Sequence, residues 1–158
     1  MSAYDSTHDT MAHIARVRAY LGHIINNLAQ RGMAHDQSKL FAPEKALFDT
    51  VSPLLSSMTY GSEEYKSALE RLRPALAHHY AANTHHPEHY ADGIAGMSLL
   101  DLVEMLADWK AATERHNDGD LAQSLRINQE RFGITRQLAS VLENTARELG
   151  WIQGGADE

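Results

Sequence analysis

Histidine is the residue type that points most directly to chemistry in this sequence. Ten of the 158 residues are His, and half of them stand close together: His78, His79, His85, His86 and His89. The chain has no Cys, so a metal would have to be held by His, Asp and Glu side chains. The cluster therefore predicts a metal or phosphate site. The alternative is a solvated polar segment.

A His-Asp pair, His35-Asp36, stands upstream of this cluster. Adjacent ligands can diverge around one ion, and Lys39, one turn further on, is placed to contact a phosphate oxygen. The dipeptide alone is weak evidence, because a chain this rich in His and Asp contains such pairs by chance; His8-Asp9 is a second one. The alternative interpretation makes Asp36 a helix N-cap and His35 a surface residue.

The helix that leads into the histidine cluster presents several of these side chains on one face. If it stays regular to its end, His79, Asn83 and His86 lie at i, i+4 and i+7. Two imidazoles with a polar residue between them have the geometry of a metal or phosphate site. The alternative is a helix end whose His side chains extend into solvent.

The next helix carries an acidic face formed by Asp101, Glu104 and Asp108. Carboxylates at this spacing repel one another, which suggests a cation unless the face is simply solvated. Asp108 is followed by Trp109, which favours partial burial, and a buried carboxylate needs a partner or a metal.

Helical periodicity runs through the chain, and period-2 strand patterns are nearly absent. We expect an all-α, single-domain bundle of about five helices over residues 1–158, with 1–8 and 151–158 frayed. The helices are expected from Thr7 or Thr10 to Gly32, from Pro43 to before Pro53, from Ser62 to about Asn83, from Ser98 to about Arg115, and from Asp120 to Gly150. Residues 51–61 are predicted as a loop. The expected core stripes are Ile14, Val17, Leu21, Ile24, Ile25 and Leu28 in the first helix, and Leu99, Leu102, Val103 and Leu106 in the fourth.

Charge and hydropathy exclude several classes of partner. The net charge is −7, and Lys and Arg are scattered singly, so we expect no nucleic-acid polymer as a partner. The sequence contains no run of about 18 apolar residues, so no membrane span is predicted. The N-terminus lacks the features of a secretory signal, so a cytoplasmic location is expected. Apolar residues along the last helix make a homodimer plausible.

The candidate residues follow one another in an order that resembles a known superfamily. His13, then His35-Asp36, then His79 with His85-His86, then Asp108, stand on successive helices. This series resembles the HD superfamily of metal-dependent phosphohydrolases, whose ligands come in the order His, His-Asp, Asp. More closely, the chain resembles a small uncharacterised family of phage and prophage proteins, in the segments 35–40, 79–90 and 97–112.

The resemblance implies a helical bundle with one or two divalent transition-metal ions (Mn, Fe, Co, Ni or Zn). It implies that one ion is held by His13, His35, Asp36 and Asp108. Asp36 would bridge to a second ion, completed by His79 with His85 or His86. Lys39 would neutralise phosphate charge, and Glu104 would accept a hydrogen bond from a ligand imidazole. The implied substrate is a nucleotide, either a nucleoside monophosphate or a deoxynucleoside triphosphate, in the host cytoplasm if a phage encodes the protein.

Two other functions remain open at the sequence level. The same scaffold, enriched in His between the His-Asp pair and the last Asp, can carry di-iron oxygenase chemistry. A non-enzymatic phage protein that binds a host partner, with the metal serving only its structure, is the third possibility. A metal closed off by four or more protein ligands would favour that third possibility.

Overall fold

The computed structural model describes residues 4–58, 62–115 and 119–153. All regular secondary structure in these ranges is helical, which confirms the predicted all-α class. The α-helices are α1 (Thr7–Ala34), α2 (Glu44–Ser57), α3 (Glu63–Ala82), α4 (Leu99–Thr113), α5 (Leu121–Phe132) and α6 (Arg136–Glu148). Short 3-10 turns occur at Gln37–Leu40, Pro87–His89 and Gly93–Gly96. Within the described ranges, the helices lack the apolar length that a membrane crossing requires.

The chain divides into two compact units, Met1–His35 and Asp36–Glu158. The expectation of one domain over residues 1–158 stays a prediction. The frayed ends were expected at 1–8 and 151–158, but α1 begins at Thr7. Residues 1–3 and 154–158 lie outside the described residues.

The first unit consists mainly of α1, which has no buried residue. The expected core stripe is wrong for this helix: Ile14, Val17 and Leu21 are 37%, 40% and 53% exposed. A single helix cannot bury its own apolar stripe, so periodicity predicted the helix but not the burial of its face. The helix also continues through Gly32 to Ala34, because glycine weakens a helix by only about 1 kcal/mol and does not end it.

The second unit has two apolar clusters. In the larger one, α4 contributes Leu102, Met105 and Leu106, and α5, α6 and their connection complete it with Leu121, Leu125, Ile134, Leu142 and Ala146. In the smaller one, Val51 of α2 packs against Ala68 and Leu72 of α3. The predicted stripe of α4 is half correct, because Leu99 and Val103 are 72% and 40% exposed.

The second helix extends further than the sequence indicated. It continues through Pro53 to Ser57, where residues 51–61 were predicted as a loop. Val51 is fully buried against α3. This packing outweighs the hydrogen bond that a proline removes from a helix interior. Residues 59–61 of the predicted loop lie outside the described residues.

The predicted last helix is two helices, so the fold has six described helices instead of about five. Gly133 ends α5 in the left-handed conformation, with φ 61°. Thr135 then caps α6 by accepting a hydrogen bond from the Leu138 N–H. Both signals stand in the sequence, a C-terminal Gly and an N-cap Thr two residues later. The apolar periodicity across them hid the break.

The predicted start of α4 is confirmed. Ser98 and Asp101 form a capping box, in which the Ser98 Oγ accepts from the Asp101 N–H. The predicted cap at Asp120 is also confirmed, because its side chain accepts from the N–H groups of Ala122 and Gln123. The third helix ends at Ala82, one residue before the predicted end.

Candidate metal centre

Asp36 begins the second unit in an unusual backbone conformation. Its φ of 56° and ψ of 12° are left-handed, a region that Asp tolerates better than most residues. The 3-10 turn Gln37–Leu40 follows, and the Lys39 N–H donates to the Asp36 carbonyl oxygen (2.9 Å). The same turn brings the Lys39 Nζ to 2.6 Å from Asp36 Oδ2. Asp36 Oδ1 faces the histidines.

His79 lies near the C-terminal end of α3 and is 1% exposed. Its Nδ1 is 2.9 Å from Glu44 Oε2, and its Nε2 is 3.3 Å from Asp36 Oδ1. A carboxylate that accepts a hydrogen bond from Nδ1–H fixes the tautomer that carries its proton on Nδ1. In this tautomer the lone pair of Nε2 faces Asp36.

Glu44, at the first position of α2, belongs to the candidate site, although the sequence did not indicate it. Its side chain is fully buried, and besides His79 it contacts the His78 Nδ1 at 2.7 Å. Burial would raise the pKa of Glu44, but hydrogen bonds with His78, Ser38 and His79 outweigh it and hold this pKa below its usual value. An acidic residue at a helix start is normally read as a partner of the helix dipole, so nothing local marked its role.

Ser38 and Asn83 contact His79 at Nδ1, the same ring nitrogen that Glu44 contacts. The Asn83 Nδ2 donates to the Ser38 Oγ (2.9 Å) and to the His79 carbonyl oxygen (2.8 Å). The Ser38 Oγ lies 3.3 Å from the His79 Nδ1. The turn after Asp36 is thereby joined to the end of α3.

His85 repeats the arrangement of His79. It is 2% exposed, its Nδ1 is 3.1 Å from Glu104 Oε1, and its Nε2 is 3.5 Å from Asp36 Oδ1. Glu104 stands on α4, and it makes the contact expected of an acceptor for a ligand imidazole. Its functional role stays a prediction.

His86 completes the group. It precedes Pro87 and has an extended backbone (φ −96°, ψ 129°), as sterics before a proline require. Its Nε2 lies 2.9 Å from the His79 Nε2. Burial, with the neighbouring His85 and His79, lowers the pKa of the His86 imidazole to about 3. The ring is therefore neutral at pH 7, which is the form that binds a metal.

Four side chains thus present ligand atoms that lie within 4.8 Å of one another: Asp36, His79, His85 and His86. A tetrahedral ion about 2.0–2.2 Å from nitrogen and oxygen ligands separates those ligands by about 3.3–3.6 Å. The separations from Asp36 Oδ1 to the two buried imidazoles, 3.3 and 3.5 Å, match this range. The separation between His79 Nε2 and His86 Nε2 is shorter, at 2.9 Å, which is a hydrogen-bond distance. This group could hold a metal ion. It includes both His85 and His86, between which the sequence left a choice.

Three predicted ligands are not members of this four-residue group. Asp108 is half-buried on α4, and its negative charge acts on His86. His13 is exposed on α1, and His35 is the half-buried last residue of the first unit. Ligand roles for His13, His35 and Asp108 stay predictions. The other clustered histidines have separate contacts: His78 with Glu44, and His89 with the Tyr80 carbonyl oxygen (2.9 Å).

A cleft of about 250 Å³ adjoins the centre, and His86 and Asp108 form part of its wall. Its remaining walls come from the end of α3, the turn at Pro87, α4 and α5. Other residues that line it are Tyr80, Glu88, Trp109, Ser124, Asn128, Arg131 and Phe132.

A family of unknown function, DUF5662, has a model that matches residues 2–149. No curated protein and no solved structure matches the chain.

Proposed function

We propose that this chain, which belongs to the DUF5662 family, is a metal-dependent hydrolase of phosphate esters or anhydrides. One observation carries the proposal: Asp36 Oδ1 and the ring nitrogens of three histidines converge at metal-ligand spacing beside a cleft. Imidazole and carboxylate ligands without sulfur suit Mn, Fe, Co, Ni or Zn. When bound, such an ion supplies a nucleophilic water at neutral pH and neutralises phosphoryl charge.

The chain's own residues would prepare the site for this chemistry. Glu44 and Glu104 orient two of the imidazoles, so little reorganisation is needed when the ion binds. Lys39 is held at Asp36 Oδ2 and is 34% exposed, so its positive charge is available to a phosphate oxygen. On a chain of net charge −7, such local cations are needed to attract an anionic substrate. A nucleotide is the substrate class that we propose.

A second candidate function follows from the number of ligands. Four protein ligands fill the coordination shell of a tetrahedral Zn²⁺, which is typical of a structural site. That arrangement would favour a non-enzymatic helical protein stabilised by metal. Mn²⁺, Fe²⁺ and Co²⁺ accept five or six ligands and would leave room for water and substrate. The hydrolase proposal therefore requires an ion of this kind.

The test begins with elemental analysis of the purified protein. Mn²⁺ binding is then measured by calorimetry, and phosphate release from a nucleotide panel is followed under nitrogen. We expect Asp36→Asn to lower Mn²⁺ affinity by at least about tenfold and to abolish turnover, because it removes the charged ligand. The exposed Asp92 supplies the control, Asp92→Asn, which should behave as wild type.

Three results would contradict the proposal in different ways. Full turnover by the Asp36→Asn variant would remove Asp36 from the mechanism. Tight metal binding with no phosphate released from any substrate would favour the structural role. A reaction that occurs only when oxygen is admitted would favour the oxygenase.

A further inference from the structure

We propose that the cleft beside the metal centre binds the substrate, and that Arg131 holds an anionic group of that substrate. This inference rests on the proposed function and names the chemical class: a small phosphate ester that carries a flat ring. The evidence lies in the position of the cleft, the guanidinium group in its wall and the aromatic rings that line it.

The position connects the cleft with the metal centre. His86 contributes its Nε2 to the candidate ligand group and also lines the cleft. Asp108 lines the cleft beside it. The Tyr80 ring lies 5.0 Å from the His86 ring, and the Tyr80 hydroxyl is hydrogen-bonded to Arg131. A phosphate bound at the centre would therefore extend toward Arg131. The volume of about 250 Å³ is just below the roughly 300–1,000 Å³ of typical ligand sites, which favours a small metabolite over a polymer.

Arg131 supplies the positive charge of this cleft. It is the only Lys or Arg among the described residues that line it, and the carboxylates of Glu88 and Asp108 line the same cleft. The Arg131 Nη2 donates to Glu88 Oε1 at 2.8 Å, and its guanidinium carbon lies 4.6 Å from the centre of the Phe132 ring. These contacts fix the plane of a group that has five N–H donors, so pairing with Glu88 and Tyr80 leaves donors for a phosphate.

The walls are suited to a flat ring. Trp109 and Phe132 both line the cleft. Their rings are nearly parallel, with an interplanar angle of 5° and 6.2 Å between the ring centres. Aromatic walls favour aromatic ligands by about 0.5–1.5 kcal/mol beyond the area that they bury.

The experiment uses phosphonates, which mimic a phosphate group but are not hydrolysed. Calorimetry measures the binding of phenylphosphonate and methylphosphonate to the full chain loaded with Mn²⁺. We expect phenylphosphonate to bind at least about threefold more tightly, from the aromatic walls. Arg131→Gln should weaken both ligands by at least about tenfold while Mn²⁺ affinity stays within about twofold. Arg136→Gln, an exposed Arg at the start of α6, is the matched control and should change nothing.

A second variant protects the test against misfolding of the first. Ser124→Asp adds a negative charge to the cleft wall and keeps an acceptor for the Asn128 Nδ2, and it should also weaken phosphonate binding without altering Mn²⁺ affinity. Wild-type phosphonate binding in both variants would overturn the inference, and so would the absence of phosphonate binding to wild type. Equal affinity for the two phosphonates would overturn the flat-ring class.

The outcomes for the inference and for the proposed function are separable. Arg131-dependent phosphonate binding without turnover of any nucleotide would support the anion site and contradict the hydrolase. Turnover that is unchanged in Arg131→Gln would support the hydrolase and contradict the cleft as its substrate site.

Discussion

Glu44 and Glu104 act in the same way on two different histidines. Each carboxylate lies about 3 Å from an Nδ1, at 2.9 Å from His79 and 3.1 Å from His85, and so turns the opposite nitrogen toward Asp36. Burying a charged Glu44 completely is costly unless hydrogen bonds compensate, and two imidazoles and Ser38 do so. The contacts of Glu44 therefore orient the imidazole of His79 in the candidate site.

Replacing Glu44 with Gln tests that role at the scale of one residue. The amide has nearly the same shape but no charge, and it can donate as well as accept, so the tautomer of His79 is no longer fixed. We expect Mn²⁺ affinity to fall about 10- to 100-fold, as measured by competition with a chromophoric chelator. Glu70→Gln, on the exposed face of α3, is the control. An affinity within about twofold of wild type would show that Glu44 does not orient the ligand.

The start of α4 is anchored by a capping box and by a contact with Tyr90. Asp101 is 4% exposed, and its Oδ2 accepts hydrogen bonds from the Ser98 N–H (2.8 Å), the Ser98 hydroxyl (2.6 Å) and the Tyr90 hydroxyl (3.0 Å). Burial would raise the pKa of Asp101, but these bonds outweigh it and hold the pKa well below its usual range. The contact with Tyr90 joins the segment that follows the histidines to the helix that carries Glu104.

The lowered pKa gives this cap a pH dependence with a definite sign. A carboxylate whose pKa is lowered in the folded state stabilises that state fully at pH values above the pKa that it has in the unfolded chain, near 4. This contribution to stability is lost as the pH falls below that value. We expect Asp101→Asn to cost about 2 kcal/mol at pH 7, where hydrogen bonds to a charged acceptor are lost. Urea unfolding at pH 7 and pH 3 should show a smaller difference from wild type at pH 3. An equal difference at both pH values would contradict the ionised cap.

At the scale of the whole molecule, a metal would connect distant parts of the second unit. Its candidate ligands come from the turn after Asp36, the end of α3 and the segment before Pro87. Glu44 and Glu104 extend the same network to α2 and α4. Because these parts come together only in the folded chain, an ion bound there stabilises the native state selectively.

Metal removal should therefore lower the thermal stability. A ligand present at a concentration of 100 times its Kd stabilises the native state by about 2.7 kcal/mol. This corresponds to a rise in Tm of about 5–10 °C for a chain of this size. Mn²⁺ or Co²⁺ should raise the Tm by this amount in scanning calorimetry, and EDTA should reverse it. Asp36→Asn is the matched control and should show at most about half of this shift, because tenfold weaker binding leaves about 1.4 kcal/mol of stabilisation. An unchanged Tm at saturating metal would contradict the site.

The sequence by itself determined the features that depend on local physics. The all-α class followed from periodicity, and the start of α4 and the cap of α5 followed from side chains within three residues of the helix ends. That α3 ends before His86 followed from the steric effect of Pro87 on the residue before it. The donor chemistry also followed from composition, since a chain without Cys can offer only His, Asp and Glu.

Tertiary structure decided what depends on contacts between distant segments. Glu44 meets His78 and His79 across 34 and 35 residues of sequence, and no local pattern marks such a pair. The continuation of α2 through Pro53 depends on the burial of Val51 against α3. The apolar residues of α1 stay exposed because their periodicity predicts a helix but does not specify which element covers its apolar face. Asp36 and the three histidines became one candidate site only because the turn after Asp36 and the bend before Pro87 bring them within 4.8 Å.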